Sequence, residues 1–482
     1  MSQNESSPSQ TVDDHQQYSL MLDTVLLDPV LDPVLDPVLD TFSEDDGFTA
    51  SEINGEEVFE HSGDKGSADV SVEDNLIIKA ESIWVSMPNG EQLHMRHLKA
   101  MPVESSVAAD AGLFGGEAKN LIASESPKRV FMLHGEVECG RIFYHESGKG
   151  LAYHFAQQGY EVFVADLGGR GRSLGCDNEP SSLTVHDIVT DAIPRLLRAA
   201  TQHCSLSEES SDSIHAYSRH SHSTLSSIAP TIWVAHGFGG VLLSAAWARM
   251  SDAERTATQM IFFSARRKLQ TKNRIANTMV KAFCHPLTAK LVNWHNAFPA
   301  EQLRLGSANE NTDWFSVYTD WISNDSWCDA EDGFDYQAAL KANPIPPTLH
   351  FATTADKIYS GSADVRAFID ELGCHDARII VANAIANSKR KYDHLSLLLD
   401  PAAVNDIFKD ATDWLLEQFV ASSIKTLMTE AADNESSPVD AVIESEQAVK
   451  DNNFDLPFEY SSLDDESSPH TPDHTLALSL AG

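Results

Sequence analysis

The chain of 482 residues is poor in basic side chains, because 34 Lys and Arg stand against 72 Asp and Glu and leave a net charge of −38. Spread evenly, a charge of this sign would indicate strong repulsion from nucleic acids and membranes. We predict no nucleic-acid partner. The imbalance is concentrated at the two ends. Residues 1–75 hold 19 acidic side chains and one basic one, and residues 426–482 hold 13 and one.

Long apolar runs and paired cysteines are also absent from the sequence. No apolar segment reaches the roughly 18 residues that a membrane span needs, and no basic segment followed by an apolar one opens the chain. Neither CxxC pairs nor dense cysteine spacing occurs, which indicates reduced thiols. We therefore expect a soluble, cytoplasmic protein without a membrane span. The six cysteines are at positions 139, 176, 204, 284, 328 and 374.

The two acidic ends, residues 1–75 and 426–482, are predicted to be disordered tails. They are rich in Ser, Asp, Glu and Pro, and they cannot bury enough apolar surface to offset the loss of chain entropy. Leu27–Asp40 contains three copies of Asp-Pro-Val-Leu, in which proline at every fourth position excludes a helix. The copies are either a repeat tract within a disordered tail or a short linear motif that displays Val and Leu to a partner.

Residues 76–425 alternate between strand and helix patterns and are predicted to form one domain. A β-hairpin flanks Pro88-Asn89-Gly90, because Asn-Gly favours the tight turns of hairpins. Alternating strands and helices predict a mostly parallel sheet with helices on both faces. The predicted strands span 76–85, 92–98, 129–133, 161–166, 232–235, 259–264, 348–353 and 377–382, and the predicted helices span 148–158, 185–200 and 241–250.

Two segments interrupt the alternation. Residues 201–229 are rich in Ser and His without periodicity, which predicts a surface loop, and the loose spacing of His215, His220 and His222 is more typical of a solvated loop than of a metal site. Residues 266–340 contain four tryptophans and are predicted to form a helical cap, whose Trp side chains belong to the core or line a pocket.

Chemistry-bearing residues follow several of the predicted strands, where open parallel sheets place their ligand sites. Leu133-His134-Gly135 follows one strand, and residues 235–240, Ala-His-Gly-Phe-Gly-Gly, form a sharp turn from a strand into a helix. Asp356 and His394 follow the last two strands. Taken singly, Asp356 could belong to a helix-capping loop and Asp393-His394 could be a polar step before an amphipathic segment.

Together these motifs resemble the α/β-hydrolase superfamily over residues 76–420, in the branch of serine aminopeptidases and monoacylglycerol-lipase-like esterases. Residues 159–173 are similar to that family's strand and loop D-x-R-G-x-G-x-S, although Gly168 occupies the position of the Arg. The resemblance implies an α/β-hydrolase fold with a cap. Asp166 is expected to be structural, His236 to pack behind the site, and Ser264 is an outside candidate for catalysis.

The catalytic residues follow from the same resemblance, with one departure. The family's elbow G-x-S-x-G corresponds to residues 235–239, and Gly237 occupies the position of the nucleophilic Ser. Asp356 would be the acid and His394 the base, and the N–H groups of Phe238 and Glu136 would be the oxyanion donors. We predict no metal and no cofactor. Loss of such a serine lowers turnover by roughly 10⁶-fold.

Three functions remain open. The first is a catalytically impaired protein that binds a small acyl or ester ligand or regulates a partner, as the resemblance to the non-catalytic N-myc downstream-regulated family allows. The second is an active hydrolase, or a non-hydrolytic enzyme, that uses Asp356 and His394 without a covalent intermediate. The third is a scaffold that recruits a basic protein partner through its acidic tails.

Overall fold

One large β-sheet organises the part of the chain that the structure describes. The computed structural model describes residues 50–53, 56–60, 76–102, 128–173, 181–211, 229, 231–270, 285–295, 297–303, 305–356, 360–382 and 391–433. The Asp-Pro-Val-Leu repeats, the cluster His215, His220 and His222, and most of both acidic tails lie outside the described residues.

Ten of the described strands form the main sheet, and two form a small antiparallel sheet. The order across the main sheet is β1-β2-β3-β4-β6-β5-β7-β8-β11-β12. The strands from β6 to β12 pair in parallel, and the strands before them pair antiparallel. This is the α/β-hydrolase fold. The strands are β1 Ala50–Ile53, β2 Glu56–Glu60, β3 Leu76–Ser86, β4 Gln92–Pro102, β5 Arg129–Leu133, β6 Glu161–Ala165, β7 Ile232–His236, β8 Gln259–Phe263, β9 Ala297–Phe298, β10 Glu310–Asn311, β11 Thr348–Ala352 and β12 Ala377–Val381.

Helices cover both faces of the sheet. Alternate side chains of β5 point to opposite faces, as in any strand, so Phe131 packs with the helix after the elbow while Met132 packs with the first and last helices. A π-helical turn, Ile188–Ala192, joins α2 to α3. The helices are α1 Leu151–Gln157, α2 Val185–Asp187, α3 Ile193–Ser211, α4 Phe238–Arg249, α5 Pro286–His295, α6 Thr312–Ser323, α7 Tyr336–Ala342, α8 Ser362–Glu371, α9 Ser396–Leu399 and α10 Ile407–Asp433.

The chain divides into two compact units, Met1–Glu417 and Gln418–Gly482. In the second unit the structure describes only residues 418–433, which end helix α10. Within the described residues no helix combines the length and apolar character needed to cross a membrane. Cys139, Cys328 and Cys374 are free thiols.

The structure departs from the sequence-based predictions at three places, and one is helix α10, whose residues 426–433 fall in the predicted C-terminal tail. Strands β1 and β2 precede Asn75, where regular structure was predicted to begin, and β2 pairs with β3 over Ile77–Ala80. Helix α3 continues to Ser211, so residues 201–211 are helical and not part of a loop over 201–229. These eleven residues contain neither Gly nor Pro, and nothing in them stops a helix that has already begun.

Where the structure describes the predicted cap over 266–340, it contains helices α5 and α6, the first part of α7 and the small sheet β9–β10. Trp314, Trp321 and Trp327 are buried in the main core, whereas Trp294 is 72 % exposed. The rings of Trp314 and Trp321 each have their centroids 5.8 Å from that of Phe238, the residue that follows the elbow. Cap aromatics therefore close over the elbow.

Candidate active site

The turn between β7 and α4 has the geometry of a nucleophile elbow. Gly237 has φ 52° and ψ −128°, a conformation that glycine adopts without the strain that other residues suffer. Its N–H donates to the carbonyl of Phe263 at 2.9 Å. A Cβ at Gly239 would lie 2.4 Å from the carbonyl oxygen of His134, so only glycine fits where the helix passes that loop. The backbone at this turn therefore has the form of an elbow, with glycine at its centre.

His394 and Asp356, predicted as base and acid, are brought together. Nδ1 of His394 lies 3.1 Å from Oδ2 of Asp356, and both side chains are buried. The same oxygen accepts the N–H of Ser360 at 2.8 Å. A Cβ at Gly237 would lie 3.6 Å from Nε2 of His394, so the second ring nitrogen faces the elbow. An acid and a histidine face a third residue in this order in catalytic triads, and here the third residue is Gly237.

The side chain of Glu136 occupies the space beside Gly237. Its Oε2 accepts the N–H of Phe238 at 2.6 Å and would lie 2.7 Å from a Cβ at Gly237. Heavy atoms do not approach a Cβ this closely, so the carboxylate has its present place because residue 237 is a glycine. The N–H of Phe238, predicted as an oxyanion donor, is thus already bonded to an anion. The sequence-based prediction for Glu136 concerned only its backbone N–H.

A short chain of polar contacts stabilises this carboxylate. The hydroxyl of Tyr318 donates to Oε1 of Glu136 at 3.3 Å, and Arg266 donates to the Tyr318 hydroxyl oxygen, also at 3.3 Å. Burial raises the pKa of Tyr318, which keeps its proton available for donation. Burial by itself lowers the pKa of Arg266, but Tyr318 and Glu136 outweigh this and raise it. The carboxylate of Glu136 is therefore linked through the Tyr318 hydroxyl to the buried guanidinium of Arg266.

His236 links a second buried carboxylate to the backbone of His394. Its Nδ1 lies 2.7 Å from Oε2 of Glu138, and its Nε2 lies 3.0 Å from the carbonyl oxygen of His394. Both neighbours are acceptors, so His236 bonds to both as an imidazolium. Although burial opposes it, Glu138 raises the pKa of His236. His236 has the packing role that was predicted, and Glu138 was missed.

Glu138, His236 and His394 are close enough to share a metal ion, but all three side chains are buried. This cluster therefore leaves no open face through which an ion could keep a water ligand.

Arg170 fastens the loop after β5 to the cap. It donates to the carbonyl of Gly135 at 3.0 Å, forms a buried ion pair with Glu310, and lies 3.9 Å from the ring centroid of Trp314. Glu310 also accepts the N–H of Val137. Arg170 therefore links the loop after β5 to Glu310 and Trp314 of the cap.

The two remaining candidates from the sequence have different environments. Asp166 accepts the N–H groups of Gly140 at 2.7 Å and Arg172 at 3.0 Å, a structural role. Ser264 is buried with φ 51°, and its hydroxyl has no hydrogen-bond partner among the described residues.

Comparisons with known proteins yield structural matches only. No family model and no curated protein matches the chain. The chain is similar to naproxen esterase (carboxylesterase NP) from Bacillus subtilis, with 13% identity, a TM-score of 0.34 and coverage of 70% of this chain and 92% of that one. For the esterase domain of a Rhodothermus marinus protein the values are 12%, 0.35, 70% and 97%. For a bromoperoxidase from Bacillus anthracis they are 11%, 0.36, 70% and 100%. The fold assignment rests on the strand order and the elbow.

Proposed function

We propose that this chain is a hydrolase-fold protein that has lost covalent serine catalysis and acts as a binding or regulatory module. The ligand we propose is a small molecule of acyl or ester type. The observation that carries the proposal is the carboxylate of Glu136, which is bonded to the N–H of Phe238 at 2.6 Å beside a residue without a side chain, Gly237.

Two separate losses argue against ordinary ester hydrolysis. Gly237 offers no atom that could form an acyl intermediate, and removing the nucleophile of a triad lowers turnover by roughly 10⁶-fold. In addition, a substrate oxyanion would have to displace the carboxylate of Glu136 from the N–H of Phe238, and loss of one oxyanion donor lowers turnover by about 10²- to 10³-fold.

The surroundings of the elbow suit a small, partly apolar ligand. Phe238 lies beneath aromatic rings of the cap, with a ring centroid 5.0 Å from that of Tyr318 and 5.8 Å from that of Trp314. Beside them are the polar groups of Glu136 and His394. Apolar and aromatic walls with a few fixed polar groups are typical of small-molecule sites.

Treatment of the full-length protein with a fluorophosphonate probe is expected to leave its mass unchanged, because Gly237 provides no hydroxyl beside His394. Intact-mass spectrometry measures the outcome, and an active serine hydrolase in the same reaction verifies the probe. Formation of one adduct per chain, mapped to any serine near the elbow, would refute the loss of covalent catalysis.

A second candidate function is enzymatic, with His394 acting on water or on a substrate proton. It is favoured by the 3.1 Å contact between His394 and Asp356, which persists without a serine. In this case His394→Ala should abolish turnover of some substrate in a panel, whereas His145→Ala, a partly buried histidine elsewhere, should not. Turnover that survives His394→Ala would eliminate this candidate.

The scaffold function remains a prediction, since most of both acidic tails lies outside the described residues. The cytoplasmic location also remains a prediction.

A further inference from the structure

We propose that Glu81, His97 and His203 form a binding site for a divalent transition-metal ion, best suited to Zn²⁺, apart from the elbow. Glu81 and His97 are directly paired across β3 and β4, so their side chains share one face of the sheet, and helix α3 brings His203 to them. Strand β4 is separated from β7, which carries the elbow, by β6 and β5.

The three side chains converge on one point. Oε1 of Glu81 lies 2.8 Å from Nδ1 of His97 and 2.7 Å from Nε2 of His203, and the three ligand atoms lie within 4.8 Å of one another. Zinc bonds of about 2.0 to 2.2 Å in a tetrahedron hold neighbouring ligand atoms about 3.4 Å apart. The two contacts to Glu81 would each have to lengthen by about 0.6 to 0.7 Å to reach this spacing.

The second ring nitrogen of His97 has the partner that metal-binding histidines usually have. Nε2 lies 3.0 Å from Oε1 of Glu161, and Arg129 fixes that carboxylate through a 2.8 Å contact. The His97 ring is also stacked on Phe163, with centroids 4.5 Å apart. A carboxylate that holds one N–H of a histidine turns the other nitrogen toward the metal and raises its basicity. Nδ1 of His97 is oriented in this way toward Glu81.

The partial exposure of the site to solvent favours a metal ion that keeps a water molecule or another exchangeable ligand. The side chains of Glu81 and His203 are 25% and 30% exposed. Two imidazoles and one carboxylate leave the fourth tetrahedral position open, and water can reach it.

A proton competes with the metal at this site. Without a metal, His97 bonds to a carboxylate on each side, Glu81 and Glu161, so each ring nitrogen carries a proton. A metal ligand must be deprotonated, so zinc binding at Nδ1 releases a proton and acidification weakens it.

Another described cluster, His186, Asp329 and Asp332, has the same residue types but already holds a cation. Arg249 donates to Asp329 and Asp332 at 2.8 Å each, so its guanidinium takes the place of an ion. This cluster is the internal control.

The full-length protein, stripped of metal by a chelator, is titrated with zinc chloride at pH 7.5 in a calorimeter. We expect one bound Zn²⁺, weaker binding at pH 5.5, and a visible absorption band of four-coordinate geometry when Co²⁺ replaces Zn²⁺. Glu161→Gln should lower the affinity about 10- to 100-fold, as outer partners of metal ligands do, and His97→Ala and His203→Ala should lower it further. Circular dichroism checks folding, and the partly exposed His203 decides the outcome if His97→Ala does not fold.

Two control variants test whether zinc binds at the proposed site or at other histidines. Unchanged affinity in His97→Ala and His203→Ala would overturn the proposal, as would the absence of zinc binding by the unsubstituted protein. Loss of binding in the triple variant His215→Ala, His220→Ala and His222→Ala would also overturn it. The control variants, which should bind zinc like the unsubstituted protein, are His186→Ala and the triple substitution His215→Ala, His220→Ala and His222→Ala.

Discussion

Gly237→Ser combined with Glu136→Ala is expected to hydrolyse activated esters at least about 100-fold faster than Gly237→Ser alone. In the single variant the new Cβ would lie 2.7 Å from the Glu136 carboxylate, which also holds the N–H of Phe238. The second substitution clears space for the hydroxyl and frees the oxyanion donor. Initial rates with p-nitrophenyl esters measure the difference.

Serine at this position also introduces backbone strain. A non-glycine residue at φ 52° destabilises the fold by about 1 to 3 kcal/mol, so both variants should unfold at lower urea concentrations. His394→Ala added to the double variant should remove the gained activity. Equal activity of the single and double variants would mean that Glu136 does not obstruct the site. A folded but inactive double variant would mean that the His394–Asp356 pair is not placed for catalysis.

Arg170→Met is expected to lower the free energy of unfolding by about 3 to 5 kcal/mol, as loss of one member of a buried ion pair usually does. The substitution leaves Glu310 buried without its cation and removes the donor to the carbonyl of Gly135. Methionine keeps most of the volume against Trp314, so the effect reports charge more than packing. Urea denaturation at neutral pH measures it.

Two further variants identify the cause of that loss. Glu310→Gln in the Arg170→Met background should recover part of the stability, because it removes the uncompensated charge. Arg172→Met, two residues away with a side chain 41% exposed, should change stability by less than about 0.5 kcal/mol. If Arg170→Met and Arg172→Met proved equally mild, the cap would not depend on the buried pair.

The sequence predicts the elements of the sheet well because their signals are local. The turn at Pro88-Asn89-Gly90 joins β3 to β4, and Gly90 has φ 89°. The glycines around position 237 predict the elbow for a similar reason, since a tight strand-to-helix turn needs residues without side chains. Asp356 and His394 were placed by their positions after strands, and the structure brings them to 3.1 Å.

The direction of a loop side chain depends on residues that are distant in the sequence, so a local motif does not predict it. Glu136 follows a recognisable His-Gly pair, but its carboxylate turns toward Gly237 because Phe238 and Tyr318 offer donors there, and Tyr318 is 182 residues away. In the same way, Arg170 donates to the carbonyl of Gly135. The motif over residues 159–173 predicts an arginine at position 168 instead. Only the packed cap determines these contacts.

Part of the proposed zinc site is predictable from the sequence. The turn over residues 87–91 sets the register of β3 and β4, and that register by itself places Glu81 opposite His97. The sequence pattern does not add His203, because it predicts a loop over residues 201–229, whereas helix α3 continues to Ser211. The register of a hairpin can therefore reveal ligand pairs that sequence spacing hides.

The hairpin of β1 and β2, in the acidic N-terminal region, covers an edge of the main sheet. This position bears on self-association. Because β2 pairs with Ile77–Ala80, β3 is not the outer strand of the sheet. A chain shortened to begin at residue 76 would present the backbone N–H and C=O groups of β3 to other copies, which invites edge-to-edge pairing. A truncation that removes acidic residues of the N-terminal region without exposing the edge of β3 must therefore retain residues 50–60.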